Sequence, residues 1–320
     1  MINLRKFWKE NKFYLIFIFV VFVISNTRLP YYISAPGGTI DISDRIEYKD
    51  KEEYKGSLNM LYVTEYIATI PLYLMSYVFD DWDLEELGKS QISDESVEEI
   101  DLRNKIMLNN SINNAKYVAY KAADKEITLE KKQHMIIGTV AQTNLKIGDE
   151  VIEVNNKKID DLNSIKEIIN NSKIDDELEF KVIRNDKEKI VLEKIKEIDK
   201  EKALGVVLMT NYEYNTDPTV ELNFKKSESG ASGGLMMALS IYSAISNEDI
   251  LRGRNIAGTG TIDIDGNVGE IDGIKYKIMG AHKNNMDIVL VPKENYKEAL
   301  KTKKDNNYDL EIVSIDNLKD

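Results

Sequence analysis

The spacing of apolar residues in the first part of the chain predicts both strands and helices. An apolar stretch at 58–79 is interrupted by polar residues and by Pro71, so it predicts a buried strand at 60–63 and a packed helix after the proline. The acidic segment 80–101 is typical of a solvated loop or an exposed helix. Spaced apolar residues over 102–123 predict an amphipathic helix.

The rest of the chain alternates between strand-like and helix-like segments, which predicts an α+β fold class. The run 135–140 is apolar, and the predicted strands are 178–183, 189–193, 204–210, 219–224, 259–264, 287–292 and 310–315. The predicted helices are 162–169, 232–246, 273–284 and 296–303. We interpret these segments as a β-rich unit at 125–198 and a second domain at 203–320.

The N-terminus carries an unbroken apolar run at 13–24, preceded by Arg5, Lys6, Lys9 and Lys12. The run spans roughly 18 Å as a helix, which is short of the ~30 Å hydrocarbon core of a bilayer. Aromatic residues flank it, which favours a transmembrane anchor at 13–29 after a cytoplasmic tail at 1–12. A cleaved signal peptide is the alternative. Both interpretations place the body of the protein outside the cytoplasm, beginning with a strand and helix region at 30–124 that packs on the other domains.

Charge and composition exclude several classes of function. The formal net charge is −12, so a nucleic-acid partner is not expected. The chain has no cysteine, which excludes disulfides and thiolate metal sites, and we expect neither a metal nor a cofactor. Its two histidines, His134 and His282, lie in no context that suggests a catalytic triad. The absence of a Gly-x-x-x-x-Gly-Lys-Ser/Thr loop predicts that this chain does not bind ATP.

One run in the middle of the chain resembles a known binding module. Residues 145–155, LKIGDEVIEVN, resemble the L-x-x-GD-x-I-x-x-V-N/D-G segment of PDZ domains. The resemblance implies a PDZ-like domain at 125–198 that binds extended peptides by strand addition. A structural domain without a ligand is the alternative interpretation.

The most informative turn is the run 230–234, GASGG, which precedes the predicted helix 232–246. Ser232 lies at or just before the helix start, where free backbone N–H groups can stabilise a developing oxyanion. The glycines of this turn are expected to leave room for a substrate carbonyl. Taken alone, Ser232 is equally typical of an ordinary helix cap. Serine is a weak nucleophile unless a base activates it, so the interpretation depends on finding that base.

A lysine on the apolar face of the predicted helix 273–284 is a candidate base. With Ile274 at zero and about 100° per residue, Lys277 falls near −60°, at the edge of the apolar face. Lys275 and Lys283 fall on more exposed faces. Burial lowers the pKa of a lysine and makes it a usable base. The alternative is a lysine whose charged end reaches the solvent.

Both segments resemble the Lon-type serine peptidases. The run 230–236, GASGGLM, resembles their Gly-Pro-Ser-Ala-Gly turn, and 258–277 resembles their T-G-x-I…V-x-x-I-G-G-x-x-x-K segment. The resemblance implies a Lon-like proteolytic domain at 203–320 in which Ser232 is the nucleophile, Lys277 is the base and Thr259 orients the lysine. Ala231 and Gly233 replace the family's proline and alanine, and we expect a looser turn that supports the site together with Gly230.

The complete layout resembles the membrane-anchored Lon-like PDZ proteases of Gram-positive bacteria. This implies ATP-independent cleavage of secreted or surface peptides and proteins, at the cell membrane and outside the cytoplasm, by a chain that can form homo-oligomers. Two alternatives stay open. In one, the chain is a catalytically inactive, membrane-anchored PDZ-type protein that only binds peptides. In the other it is a structural domain at the cell surface.

Overall fold

The computed structural model describes residues 4–49, 54–86 and 95–320. The helices are α1 Leu4–Asn26, α2 Ile70–Met75, α3 Val97–Ala122, α4 Leu162–Asn171, α5 Gly234–Ser246, α6 Ile274–Lys283 and α7 Tyr296–Asp305. The strands are β1 Arg28–Asp41, β2 Ile46–Glu47, β3 Ser57–Thr69, β4 Asp83–Glu86, β5 Glu126–Thr139, β6 Glu150–Val154, β7 Lys157–Lys158, β8 Glu177–Arg184, β9 Lys187–Lys194, β10 Lys196–Ile198, β11 Glu201–Ala203, β12 Val206–Asp217, β13 Glu221–Leu222, β14 Asn255–Gly258, β15 Thr261–Ile262, β16 Val268–Gly269, β17 Ile288–Pro292 and β18 Glu311–Ile315.

A six-stranded mixed sheet joins an early and a late part of the chain. Its strand order is β18-β17-β14-β3-β1-β4, and the strands from β18 to β3 are parallel while β1 and β4 are antiparallel to their neighbours. Two of its central strands therefore come from the region 30–124. The domain predicted at 203–320 does not contain its whole sheet, because β14 pairs with β3 across almost two hundred residues.

Helices cover both faces of this sheet. Leu61 and Ala257 face α6 and α7 in one hydrophobic cluster. Their neighbours Met60 and Ile256 face α5 in another cluster, as expected because successive residues of a strand point to opposite faces. Helix α3 packs on α5 in a further cluster that includes Ala115 and Ala119. The arrangement is thus three layers, helix, mixed sheet and helix.

The second sheet is the β-rich unit, with strand order β12-β5-β6-β8-β9 and β7 beside β6. Helix α4 closes its core through Ile165, which packs with Phe180 and Val182. Strand β12, predicted at 204–210 as part of the C-terminal domain, pairs along its whole length with β5 and belongs to this sheet. The unit is therefore inserted between α3 and the turn at 230–234, which carries Ser232 and is called the nucleophile turn below. Its first and last strands lie side by side.

The acidic segment is more ordered than its composition predicts. Residues 83–86 form β4 on the edge of the mixed sheet, paired with β1. Residues 95 and 96 precede α3, where Ser96 and Glu99 form a capping box. The part of this segment at 87–94 lies outside the described residues, as do residues 1–3 of the predicted cytoplasmic tail.

Helix α1 is longer than the predicted anchor and begins well before the apolar run. Its first half contains several charged residues in the sequence, so only the run 13–24 is continuously apolar. Within the described parts of the chain, no helix has both the length and the apolar character that crossing a membrane requires. The transmembrane helix predicted at 13–29 is therefore not supported.

Candidate active site

The nucleophile candidate lies at the entrance to α5 but does not cap it. Gly233 is the N-cap residue, and no side-chain hydrogen bond caps the helix. Ser232 precedes the cap and is half-buried, and it lines a cleft of about 890 Å³. Because its side chain does not satisfy the helix end, the ordinary capping role does not explain a serine at this position.

Thr259 connects the backbone of Ser232 to the candidate base. It directly follows β14, is completely buried, and its hydroxyl donates to the Ser232 carbonyl oxygen at 3.0 Å. The Gly260 amide donates to the same carbonyl at 2.7 Å. The Lys277 Nζ donates to Thr259 Oγ1 at 2.9 Å. The site therefore forms at the end of β14, where α5 on one face of the sheet and α6 on the other come within reach of one residue.

Lys277 is the buried lysine of α6. Its exposed fraction is 3%, and it lines the same cleft as Ser232. Burial lowers its pKa from 10.5 to about 8, while the negative charges of Asp272 and Glu65 act in the opposite direction. A substantial fraction of this lysine is thus neutral near physiological pH, as a general base requires.

The two neighbouring lysines of α6 are placed differently. Lys275 is about one-third exposed and donates to the carboxylate of Asp83 in β4 at 3.2 Å. The Tyr276 hydroxyl donates to the same carboxylate, so β4 holds this turn of α6 against the sheet. Lys283 is exposed at the end of the helix. Among these lysines, only Lys277 joins the cleft.

Other parts of the chain hold the nucleophile turn, and the sequence gives no local signal of them. On α3, Ser111 Oγ donates to the Ala231 carbonyl at 3.0 Å, and the Asn104 carbonyl accepts from the Gly230 amide at 3.0 Å. In addition, Arg45 makes two hydrogen bonds to the Glu228 carboxylate, at 2.7 and 3.0 Å, and this ion pair is largely buried. The turn is therefore fixed from two sides.

The glycines of the turn serve packing and backbone conformation more than substrate access. Gly230 has φ +92° and no atom within 4 Å of an added Cβ, so its backbone conformation is the reason for glycine. An added Cβ at Gly233 meets Met60 Sδ at 2.0 Å, and one at Gly234 meets Ile262 and Ser111 at 2.8 Å. The expectation of a looser turn is therefore wrong at Gly233, because Met60 fills the space of the missing methyl group.

This packing makes a rescue experiment possible. We expect Gly233→Ala to lower both activity and thermal stability, by about 1–3 kcal/mol in the free energy of unfolding, because the buried Met60 must move. Adding Met60→Val removes the sulfur and should recover much of the loss. Melting temperature and kcat of both single variants and of the double variant measure this. A Gly233→Ala protein with wild-type stability and rate would show that Met60 does not restrict the turn.

The amides around Ser232 are suited to an oxyanion. In the described part of the chain, the backbone N–H groups of Ser232 and Gly233 have no hydrogen-bond partner. Both precede the first turn of α5, where the helix dipole favours negative charge. A buried lysine, a serine in the same cleft and two free amides together provide the groups that acyl transfer requires.

Two protein families match parts of this chain. Residues 225–320 match the Lon protease (S16) C-terminal proteolytic domain, and residues 137–192 match the PDZ domain. The chain therefore combines a Lon-type proteolytic domain with a PDZ domain. The matches support serine peptidase activity.

Individual relatives resemble only part of the chain. The Lon protease of Mesomycoplasma hyopneumoniae (strain 232) is 36% identical over 87 residues, covering 27% of this chain and 10% of that protein. The Lon protease of Campylobacter jejuni is 33% identical over 92 residues, covering 28% of this chain and 11% of that protein. This chain thus spans about a tenth of the length of the curated relatives it matches.

A quarter of the chain also matches a solved structure. The crystal structure of the PDZ domain of an SdrC-like protein from Listeria monocytogenes is 17% identical, with a TM-score of 0.24. The match covers 25% of this chain and 92% of that one.

Proposed function

We propose that this Lon-like chain is a serine endopeptidase in which Ser232 and Lys277 form a catalytic dyad. The observation that carries the proposal is the Lys277 hydrogen bond to Thr259. Thr259 also donates a hydrogen bond to the Ser232 carbonyl, and Ser232 and Lys277 line the same cleft. A lysine buried to this degree, with a pKa of about 8, is suited to accept the serine proton.

The proposed reaction follows the usual course of acyl transfer. Neutral Lys277 takes the proton of the Ser232 hydroxyl as Oγ attacks the peptide carbonyl, and the free amides of Ser232 and Gly233 hold the oxyanion. The protonated lysine then donates to the leaving amine, which departs and leaves an acyl-enzyme. Water, deprotonated by the same lysine, hydrolyses the ester and restores the serine.

Product analysis tests this proposal directly. The purified protein is incubated with an unstructured polypeptide such as casein, and the products are sequenced by mass spectrometry. New termini that appear with time support an endopeptidase. Binding of the polypeptide without new termini would favour the alternative, an inactive peptide-binding protein of the PDZ type. The Met60 packing at Gly233 argues against that alternative, because it keeps the turn that carries Ser232 tightly packed.

ATP independence is a separate prediction. The sequence contains no phosphate-binding loop, so we expect the same cleavage rate with ATP and magnesium, without nucleotide, and after treatment with apyrase. Rates measured in parallel with one polypeptide substrate decide the point. A clear loss of activity in the apyrase sample would contradict the prediction.

The location and the role of the PDZ domain belong to the same proposal. The basic residues before the apolar run 13–24 favour a body outside the cytoplasm, and fractionation of cells producing the protein tests this. The PDZ domain is proposed to capture extended segments of substrates. Assembly into homo-oligomers stays a prediction that light scattering can measure.

A further inference from the structure

Ser111 is a buried hydroxyl on α3 that contacts the nucleophile turn across 120 positions of the sequence. Its exposed fraction is 3%, and its Oγ donates to the Ala231 carbonyl at 3.0 Å. The hydroxyl also packs against the start of α5, because an added Cβ on Gly234 comes within 2.8 Å of it. This contact lies one peptide bond before the proposed nucleophile.

The direction of that peptide bond determines where the Ser232 amide points. A trans peptide is planar, so its carbonyl and its N–H group point in opposite directions. The carbonyl of Ala231 is fixed by Ser111 and, more weakly, by the Gly234 amide at 3.3 Å. The N–H group of the same peptide belongs to Ser232, and it has no partner among the described residues.

The next peptide bond is fixed in the same way from the other side. The Ser232 carbonyl accepts from Gly260 and Thr259, which sets the direction of the Gly233 amide. The carbonyls of Ala231 and Ser232 are therefore both hydrogen-bonded, while the N–H groups of the same two peptide bonds have no partner among the described residues. Fixed donors that need no reorientation during the reaction are what an oxyanion hole requires.

We propose that Ser111 is a positioning residue, which orients the Ser232 amide toward the oxyanion by binding the Ala231 carbonyl. The inference rests on the proposed function, since it assigns a role within the same reaction. Ser111 does not touch the substrate. It acts by fixing the orientation of the peptide bond between Ala231 and Ser232. Its loss therefore weakens stabilisation of the transition state more than binding of the substrate.

Kinetics of Ser111→Ala test the proposal. We expect kcat to fall about 10- to 100-fold with KM changed less than about twofold, because a misdirected donor stabilises the transition state poorly. The affinity for a peptidyl boronate, which forms a tetrahedral adduct on Ser232, should fall by a similar factor. Ser111→Thr keeps the hydroxyl and should recover most of the rate, while providing a second variant if Ser111→Ala does not fold.

Ser243 offers a matched control. It is a buried serine of α5 whose Oγ donates to the Glu248 carbonyl at 3.1 Å, far along the helix from the turn. Ser243→Ala should lose comparable stability and keep its kcat. Equal kcat for Ser111→Ala and the wild type, or equal losses in both alanine variants, would overturn the positioning role and leave the proposed function intact. If the wild type does not cleave, both proposals fail.

Discussion

Replacing Ser232 with alanine is expected to abolish cleavage, lowering kcat by at least about 10⁴-fold. Removing the nucleophile of a serine peptidase leaves only binding and oxyanion stabilisation, and comparable losses reach about 10⁶-fold in other serine enzymes. Stability should change little, because Ser232 is half-buried and does not cap α5. Initial rates and melting temperatures of purified wild-type and variant proteins measure both effects.

Ser229 is the control for this prediction. It directly precedes the turn at 230–234, lines the same cleft and is exposed, so Ser229→Ala should cleave at close to the wild-type rate. If Ser232→Ala keeps a rate near that of Ser229→Ala, the nucleophile has been assigned wrongly. If both variants lose activity equally, the turn itself and not one hydroxyl is responsible.

Lys277→Met is expected to cause a loss of similar size while preserving the fold. Methionine has a similar length and is apolar, so it fits the buried site and removes only the base. Lys275→Met is the matched control on the same helix, since Lys275 binds Asp83 and does not join the cleft. Wild-type activity in Lys277→Met, or equal losses in both methionine variants, would contradict the assignment of the base.

Because the pKa of Lys277 is lowered, both the activity and the stability of the protein should depend on pH. Only the neutral amine accepts a proton, so kcat/KM of the wild type should rise tenfold per pH unit below about 8 and level off above it. For stability, the folded protein disfavours the charged lysine. The resulting loss of folding free energy is therefore complete below a pH of about 8, and it disappears as the pH rises toward 10.5.

Lys277→Met removes this loss of folding free energy. At pH 6.5 we expect its free energy of unfolding to exceed that of the wild type by up to about 3 kcal/mol, reduced by the lost hydrogen bond to Thr259. Denaturant titrations at pH 6.5 and at pH 9.5 should show the difference shrinking at the higher pH. An inactive variant that is also more stable is the combination expected of a residue kept for catalysis.

Local patterns predicted most helices and strands but not which strands make up the mixed sheet. Strand β3 was predicted at 60–63 and observed at Ser57–Thr69, yet nothing in that stretch indicates that it pairs with β14. The same holds for β12, which was predicted as a strand at 204–210 without any indication of its partner β5. Strand alternation reports which side chains are buried, whereas pairing depends on register and packing between distant segments.

The N-terminal prediction shows a related limit. The apolar run 13–24 is unmistakable in the sequence, but the length of an anchor depends on how far the apolar character continues. Helix α1 starts at Leu4, within a charged segment, and the described helices include none that can span a bilayer. The transmembrane helix predicted from the apolar run and its aromatic flanks is therefore not supported.

By itself the sequence proposed Ser232 as the nucleophile and selected Lys277 over its neighbours as the candidate base, because helical periodicity determines which lysine of α6 faces the core. It also indicated both domains through short motifs of fixed spacing. The family resemblance also implied that Thr259 orients the lysine. Only the tertiary structure showed that Thr259 binds the Ser232 carbonyl as well, that Met60 takes the place of a methyl group and that Ser111 lies behind the turn. Those contacts join segments more than a hundred residues apart or on opposite faces of a sheet, and long-range packing leaves no periodic signal in the sequence.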